Sequence, residues 1–366
     1  MGSSLETKVP DNSKIVDGKG KFVIPGLWDM HVHLEIAGEE SLPFFIANGV
    51  TSVRDMGANS FSLLKGWTEQ IEKGSMIGPH ITAAGPMIDG PFVTNQLRVT
   101  VKTDAEARRA VDSLVALGVD FIKVHQQISK EAYFALADQA KKDNISFVGH
   151  LPASITLKEA MEAGQKSIEH ISSVPDTSSI SYSSISKSGT RITPTLLFYQ
   201  QVGNYHELSA VNDPRYNTPS PSLKAFWKEQ ISAWGQDVDK TVSLMKTLLP
   251  IMLKRAALLN KAGVPLLAGT DLGIVYIYPG SGLHEELALF VSAGLSPLEA
   301  LQTATINPAK FFGTEQTTGN VQVGKKADLV LLNSNPLLNI SNTKDIYNVI
   351  FNGHVYDQEK IKTLQR

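Results

Sequence analysis

Short apolar runs rich in Val, Ile and Phe alternate along the chain with longer segments of helical period. That alternation is the pattern of βα units that build a parallel sheet. Apolar runs at Leu27–His33, Thr51–Asp55, His80–Ala84, Phe121–His125, Ile145–His150, Ser167–His170, Arg191–Leu196 and Val264–Thr270 predict strands. Between them, residues 104–117 place Ala107, Ala110, Val111, Leu114 and Val115 at helical spacing, opened by Thr103 and closed by Gly118. Residues 129–142 and 156–163 repeat the pattern, the second closed by Gly164. Eight strands with intervening helices predict an α/β fold of the (β/α)8 barrel type, with an open doubly wound sheet as the alternative. No Gly-x-Gly-x-x-Gly follows the first strand, so nothing supports a dinucleotide site.

Two regions depart from the βα rhythm. Residues 198–240 are polar, carry Pro214, Pro219 and Pro221 with several aromatics, and sit between the seventh strand and its long helix. An insertion at that strand's C-terminal end would hang over the barrel mouth. From Gly319 onward, residues 327–332 and 346–352 read as strands around polar turns. With the residues before Pro25, they predict a small β-structure beside the barrel. The expected division is residues 1–25 and 319–366 for this β-structure and 26–318 for the barrel, with the insertion at about 198–240.

Composition narrows the chemistry. The 366 residues include 42% hydrophobic and 19% charged, enough apolar surface for a large core. Lys plus Arg number 34 against 36 Asp plus Glu, a net charge of -2. That balance argues against nucleic acid or an anionic membrane as the main partner and leaves self-association open. Cysteine is absent, so disulfides, thiolate zinc sites and cysteine nucleophiles are excluded. No stretch reaches the roughly 18 unbroken apolar residues of a membrane span, and the apolar run near the middle, residues 248–259, is broken by Pro250, Lys254 and Arg255. The opening Met-Gly-Ser-Ser-Leu-Glu-Thr-Lys is polar and does not read as a signal peptide, and the compartment is not legible.

Candidate chemistry collects at strand ends. His31 and His33 lie two apart on the first strand and so share a face, where both imidazoles can meet one metal. Lys123 lies in the fourth strand, in Phe-Ile-Lys-Val-His. His150 ends the fifth in Phe-Val-Gly-His, His170 the sixth in Ser-Ile-Glu-His, and Asp271 the eighth in Leu-Leu-Ala-Gly-Thr-Asp. In a barrel these C-terminal ends face one mouth. A snorkelling lysine or a helix-capping aspartate would explain single members but not the set. His125 shares the face of Lys123, and Tyr276 follows Asp271; both are candidate substrate contacts. Arg54 and Asp55 read as a structural pair. His284-Glu285-Glu286 opens a helix whose positive N-terminus suits the acids.

The phrase Val-Ile-Pro-Gly-Leu-Trp-Asp-Met-His-Val-His resembles the strand-one signature of the amidohydrolase superfamily, and Leu-Leu-Ala-Gly-Thr-Asp its strand-eight signature. Residues 294–313 and the phrase Gly-Lys-Lys-Ala-Asp-Leu-Val-Leu-Leu are similar to its closing helices and flanking sandwich. The resemblance covers nearly the whole chain and points to the carboxylated-lysine branch, prolidase-like and imidazolonepropionase-like. It implies two divalent ions, usually zinc, with His31, His33 and Asp271 holding one and His150 and His170 the other. Lys123, N-carboxylated, would bridge them; the alternative is a plain lysine beside a single metal. A free ammonium would repel two cations, whereas a carbamate offers each an anionic oxygen.

The implied reaction is hydrolysis of an amide or peptide bond, in a dipeptide or N-acyl amino acid, by a hydroxide bridging the metals. Asp271 would take the water's proton and deliver it to the leaving nitrogen. Two departures stand out. Few residues precede the strand-one phrase, fewer than the family's sandwich uses, and residues 83–92 lack the Gly-Gly-His frequent in prolidase-like members. The alternative is related metal-dependent hydrolysis of a lactone, phosphoester or aromatic amine; a non-catalytic metal-binding protein ranks below it. Leu-Pro-Ala after His150, in place of a glutamate, argues against deamination.

Overall fold

Strands form where the apolar runs fall, and capped helices follow them. The helix Asp104–Leu117 starts on Thr103, whose hydroxyl accepts from the Glu106 amide, and stops at Gly118 in a left-handed conformation with φ of 86°. The helix Lys130–Lys142 is capped by Ser129, and Leu157–Glu162 by a reciprocal Thr156–Glu159 box. The computed structural model describes residues 9, 11–91, 97–175, 182–211 and 213–365. Residues 1–8, read above as polar and unlike a signal peptide, lie outside them.

The chain is an α/β protein with two parallel sheets. The strands, in order, are β1 (Phe22–Pro25), β2 (Leu27–Val32), β3 (Val50–Asp55), β4 (His80–Ala83), β5 (Met87–Asp89), β6 (Arg98–Thr100) and β7 (Ile122–Val124). They continue as β8 (Phe147–Gly149), β9 (Ser167–Glu169), β10 (Arg191–Thr193), β11 (Leu329–Leu332), β12 (Ile346–Phe351) and β13 (His354–Tyr356). One parallel sheet runs β2-β3-β4 and the other β10-β9-β8-β7-β5-β6. The expected eighth strand forms isolated parallel bridges, Ile192 to Leu266 and Val32 to Leu272, rather than a ladder. Its backbone explains this. Pro265 has no amide to donate, the Ala268 amide goes to the Thr303 carbonyl, and Asp271 has φ of 62°.

The first strand and the last three form a four-stranded antiparallel sheet, β1-β11-β12-β13. Val23 pairs with Leu331, and Val330 with Val349. The 198–240 region is helical: Leu196–Gly203, Tyr205–Ala210 and Pro221–Ala233 precede the long helix Val238–Lys261. Ser220 caps the helix that begins at Pro221, a proline position that needs no amide donor. Its Gln230 side chain donates to the Gly273 carbonyl at 2.7 Å and accepts from the Val275 amide at 3.3 Å. The helix is thereby tied to the loop after Asp271. Among the described residues, no helix is long and apolar enough to cross a membrane.

The His284-Glu285-Glu286 expectation is corrected. The helix Ser281–Ala293 has no acid in its first turn. Glu286 reaches another helix instead, accepting from the Leu196 and Leu197 amides at 3.0 and 2.6 Å. Glu285 pairs with Arg215 at 2.6 Å. Thus the acid does satisfy a positive helix terminus, but that of Leu196–Gly203.

Candidate functional site

His31 is fully buried near the end of β2, and His33 follows that strand. Alternation along the strand sends both side chains one way. Gly269 permits the eighth segment to approach them: a Cβ there would lie 2.8 Å from the His31 Cβ and 2.6 Å from Thr193 Cγ2. Asp271 then comes to 3.4 Å from His31 Nε2 and 3.7 Å from His33 Nε2. One ligating atom from each of His31, His33 and Asp271 lies within 4.8 Å of the others.

The remaining histidines continue the cluster. His170 packs on His31 with ring centroids 4.8 Å apart and on His150 at 4.5 Å. Its Nδ1 is 2.9 Å from the Thr195 hydroxyl and 3.8 Å from Asp271 Oδ2. Gly149, with φ of 132°, lets the chain before His150 press on the Val124 carbonyl, where a Cβ would sit at 2.1 Å. His170 and Asp271 themselves have positive φ, 65° and 62°. Such conformations are costly for residues with a side chain and concentrate at functional sites.

Lys123 is almost fully buried and makes no hydrogen bond or ion pair among the described residues. Burial lowers its pKa to about 8 against the pull of Asp271, Glu169 and Asp55. Burial likewise drives His31, His150 and His170 well below the usual histidine value and His33 to about 3, so the imidazoles are neutral. Asp271 is pushed up to about 6 by burial, with Lys123 opposing.

The donor set suits a metal ion. Among the described residues, the Nε2 of His31 is buried without a hydrogen-bond partner, as is Nδ1 of His150. Buried polar atoms are rarely left this way. For His31 and His33 the outer nitrogen is occupied: His31 Nδ1 is 3.0 Å from Glu169 Oε2, and His33 Nδ1 3.1 Å from the Gly57 carbonyl. An outer acceptor of this kind fixes the tautomer that frees the other nitrogen for a cation.

Sequence reasoning overlooked the outer partners. Glu169 is fully buried and takes both Arg54 Nη2 contacts at 2.8 Å. Arg54 also donates to the Met30 carbonyl and lies over the Phe311 ring at 5.2 Å. The expected Arg54–Asp55 pair is therefore absent: neighbours on a strand point to opposite faces. Asp55 instead accepts from the Leu34 and Gly57 amides at 2.7 and 3.0 Å. Asp29 likewise accepts from the Thr270 amide and hydroxyl and from the His31 amide. The available signal was strand alternation, which puts Glu169 and Ser167 on one face.

The cluster opens into a cavity of about 370 Å³ lined by His33, Lys123, His150, His170 and Asp271, with Phe198, Phe226 and Trp234 from the helical insertion. His125 also lines it, its Nδ1 3.1 Å from Asp89 Oδ2 and its ring 4.0 Å from that of His150. Tyr276 is not among the lining residues. Its ring packs with Tyr205, Tyr216 and Trp227 at centroid distances of 5.9, 6.3 and 5.6 Å.

Residues 22–356 match the sequence model of the amidohydrolase family. The chain is similar to ochratoxinase of Aspergillus niger, 22% identical over 383 residues that cover 87% of this chain and 71% of the relative. It is similar to imidazolonepropionase of Vibrio vulnificus (strain CMCP6), 25% identical over 347 residues covering 87% and 80%. Among solved structures, a Xaa-Pro dipeptidase with bound methionine superposes with a TM-score of 0.74 at 23% identity, over 96% of this chain and 90% of that one.

Proposed function

The chain belongs to the amidohydrolase family and is an enzyme acting on carbon–nitrogen bonds, and from that premise we propose that it hydrolyses an amide or peptide bond in a dipeptide or N-acyl amino acid. The parallel sheets, bridged at Ile192–Leu266 and Val32–Leu272, are taken as a closed (β/α)8 barrel spanning residues 26–318. The terminal antiparallel sheet is taken as a reduced β-sandwich. One observation carries the functional reading: His31, His33 and Asp271 converge around the buried, unpartnered Nε2 of His31.

In this reading His31, His33 and Asp271 would hold one divalent ion, His150 and His170 a second, and Lys123, as its N-carboxylate, would serve both. When bound, two such ions, most reasonably zinc given imidazole and carboxylate donors, supply a Lewis acid for the carbonyl and lower the pKa of water. The chain's own residues do the rest. Glu169, braced by Arg54, holds His31 in the Nδ1–H tautomer. Asp271, buried and facing the histidines, accepts the water's proton and returns it to the departing nitrogen. Amide hydrolysis needs that return, because an amide anion is a very poor leaving group. The apolar wall from Phe198, Phe226 and Trp234 keeps bulk water off the reacting bond.

The test is metal analysis with a substrate panel. The purified enzyme should carry close to two equivalents of zinc or a similar ion, lose activity to chelators, and hydrolyse members of a series of N-acyl amino acids and Xaa-Pro dipeptides. Full activity after complete metal removal would sink the reading.

A further inference from the structure

Among the described residues, Arg98 is the one Lys or Arg lining the cavity besides Lys123, and the metal reading commits Lys123 to the histidine cluster. Its side chain is 12% exposed, and its guanidinium is clamped from behind. Nη1 donates to Asp89 Oδ2 at 2.8 Å, and Nη2 lies 3.3 Å from His125 Nε2. Asp89 is fully buried and accepts the Gly90 and Gln127 amides at 2.9 and 2.7 Å through its other oxygen. His125 Nδ1 stands 3.1 Å from the oxygen that Arg98 binds. Asp89 therefore divides its hydrogen bonds between the guanidinium and two backbone amides, with His125 Nδ1 close by.

The donor inventory is unfinished. A guanidinium has five N–H donors, and two are used among the described residues. Arg98 Nε is buried with no hydrogen-bond partner among the described residues, a state that costs free energy until a ligand or solvent acceptor arrives. Phe198, Val202, Phe226 and Trp234 supply apolar lining to the same cavity. An anionic, planar acceptor attached to an apolar body matches both features. Guanidinium favours a carboxylate, with which it makes charge-assisted, fork-shaped contacts.

Resting on the amide-hydrolase reading, we propose that Arg98 binds a free carboxylate of the substrate, so that the enzyme's substrates are amides bearing a carboxylate and an apolar group. Asp89 and His125 are positioning residues: they hold the guanidinium and need not touch substrate. This gives His125 a different part from the direct contact expected of it.

Binding, rather than turnover, separates this inference from the reaction. The metal-loaded enzyme is titrated calorimetrically with 3-phenylpropionate and with its neutral isostere, 3-phenylpropanamide. Wild type should prefer the carboxylate by about 10- to 100-fold, the usual yield of a charge-assisted contact. Arg98→Gln, with metal content measured to confirm an intact centre, should reduce that preference to about threefold or less. Arg98→Lys keeps the charge and the Asp89 pair but lacks the fork, and should fall between the two. A wild-type preference retained by Arg98→Gln would put the carboxylate on the metals and overturn the proposal. If Arg98→Gln does not fold, Arg98→Met, which keeps the stem and removes the charge, decides it, since an undiminished preference there is equally fatal.

Turnover then tells the two readings apart. Arg98-dependent carboxylate binding without hydrolysis of any N-acyl amino acid would defeat the hydrolase reading and leave this one standing. Equal kcat/KM for N-benzoylphenylalanine and the decarboxylated N-benzoylphenethylamine would do the reverse.

Discussion

Asp271 combines three features seldom found in one side chain: a left-handed backbone, nearly complete burial, and contact distances to three histidines. Asp271→Asn preserves the shape and one oxygen but cannot accept a proton. Turnover of amides should fall by about 10²–10⁴-fold, the range for a general acid–base group. The defect should shrink on nitrophenyl esters, whose phenolate departs without a proton. Equal losses on both substrates would confine Asp271 to the water or the metal. Lys123 makes a separate prediction. Lys123→Ala should empty at least one metal position by elemental analysis, and short carboxylic acids should restore part of the activity. Lys123→Arg should not rescue, because a guanidinium cannot form the carbamate. Two retained ions and normal turnover in Lys123→Ala would remove it from the bridge. At this scale the sequence is legible wherever a side chain ends a strand, because strand alternation alone aims His31 and His33 together. It is illegible where the partner comes from another strand. Nothing local to Glu169 announces Arg54, and nothing in residues 97–100 announces that Arg98 meets Asp89.

At the scale of elements, capped helices were readable from their punctuation, and Asp104–Leu117 has the bounds its Thr103 and Gly118 signals imply. Contacts between elements were not. His284 illustrates the difference, because it fastens the helix Ser281–Ala293 to two distant segments. Its Nε2 donates to the Asn48 carbonyl at 3.0 Å, and its Nδ1 lies 3.0 Å from the Thr343 hydroxyl. Burial, helped by Lys344, lowers its pKa to about 4. The unfolded chain would protonate this imidazole near 6.5 and the folded one only near 4, so the unfolded state binds more protons between those values. Stability should therefore fall as pH drops from about 6.5 to about 4, with His284 contributing about 2 kcal/mol of loss between pH 7 and pH 5. His284→Gln cannot titrate, so its urea midpoint should decline less than wild type's over that interval. Parallel declines would show that the imidazole is already solvated or charged in the fold.

At the scale of the molecule, the proposed ligands span the chain from His31 to Asp271 and come from β2, β7, β8, β9 and the bridged eighth segment, which draws local openings into one cooperative unit. A metal that needs all of these segments binds the folded chain and not the unfolded one, so its binding free energy is added to folding. Once free zinc exceeds the dissociation constant, each tenfold rise adds about 1.4 kcal/mol per bound ion. With the usual unfolding entropy per residue, a chain of 366 residues should gain about 2 °C in Tm per tenfold rise for one ion and about 4 °C for two. The slope of Tm against the logarithm of buffered free zinc thus counts ions on the folded protein without any substrate. Wild type should give the two-ion slope, and Lys123→Ala the one-ion slope or less. A flat line for wild type would mean that the cluster folds equally well without metal. In that case the neutral imidazoles, the outer carboxylate on His31 and the left-handed Asp271 would need an explanation other than a metal.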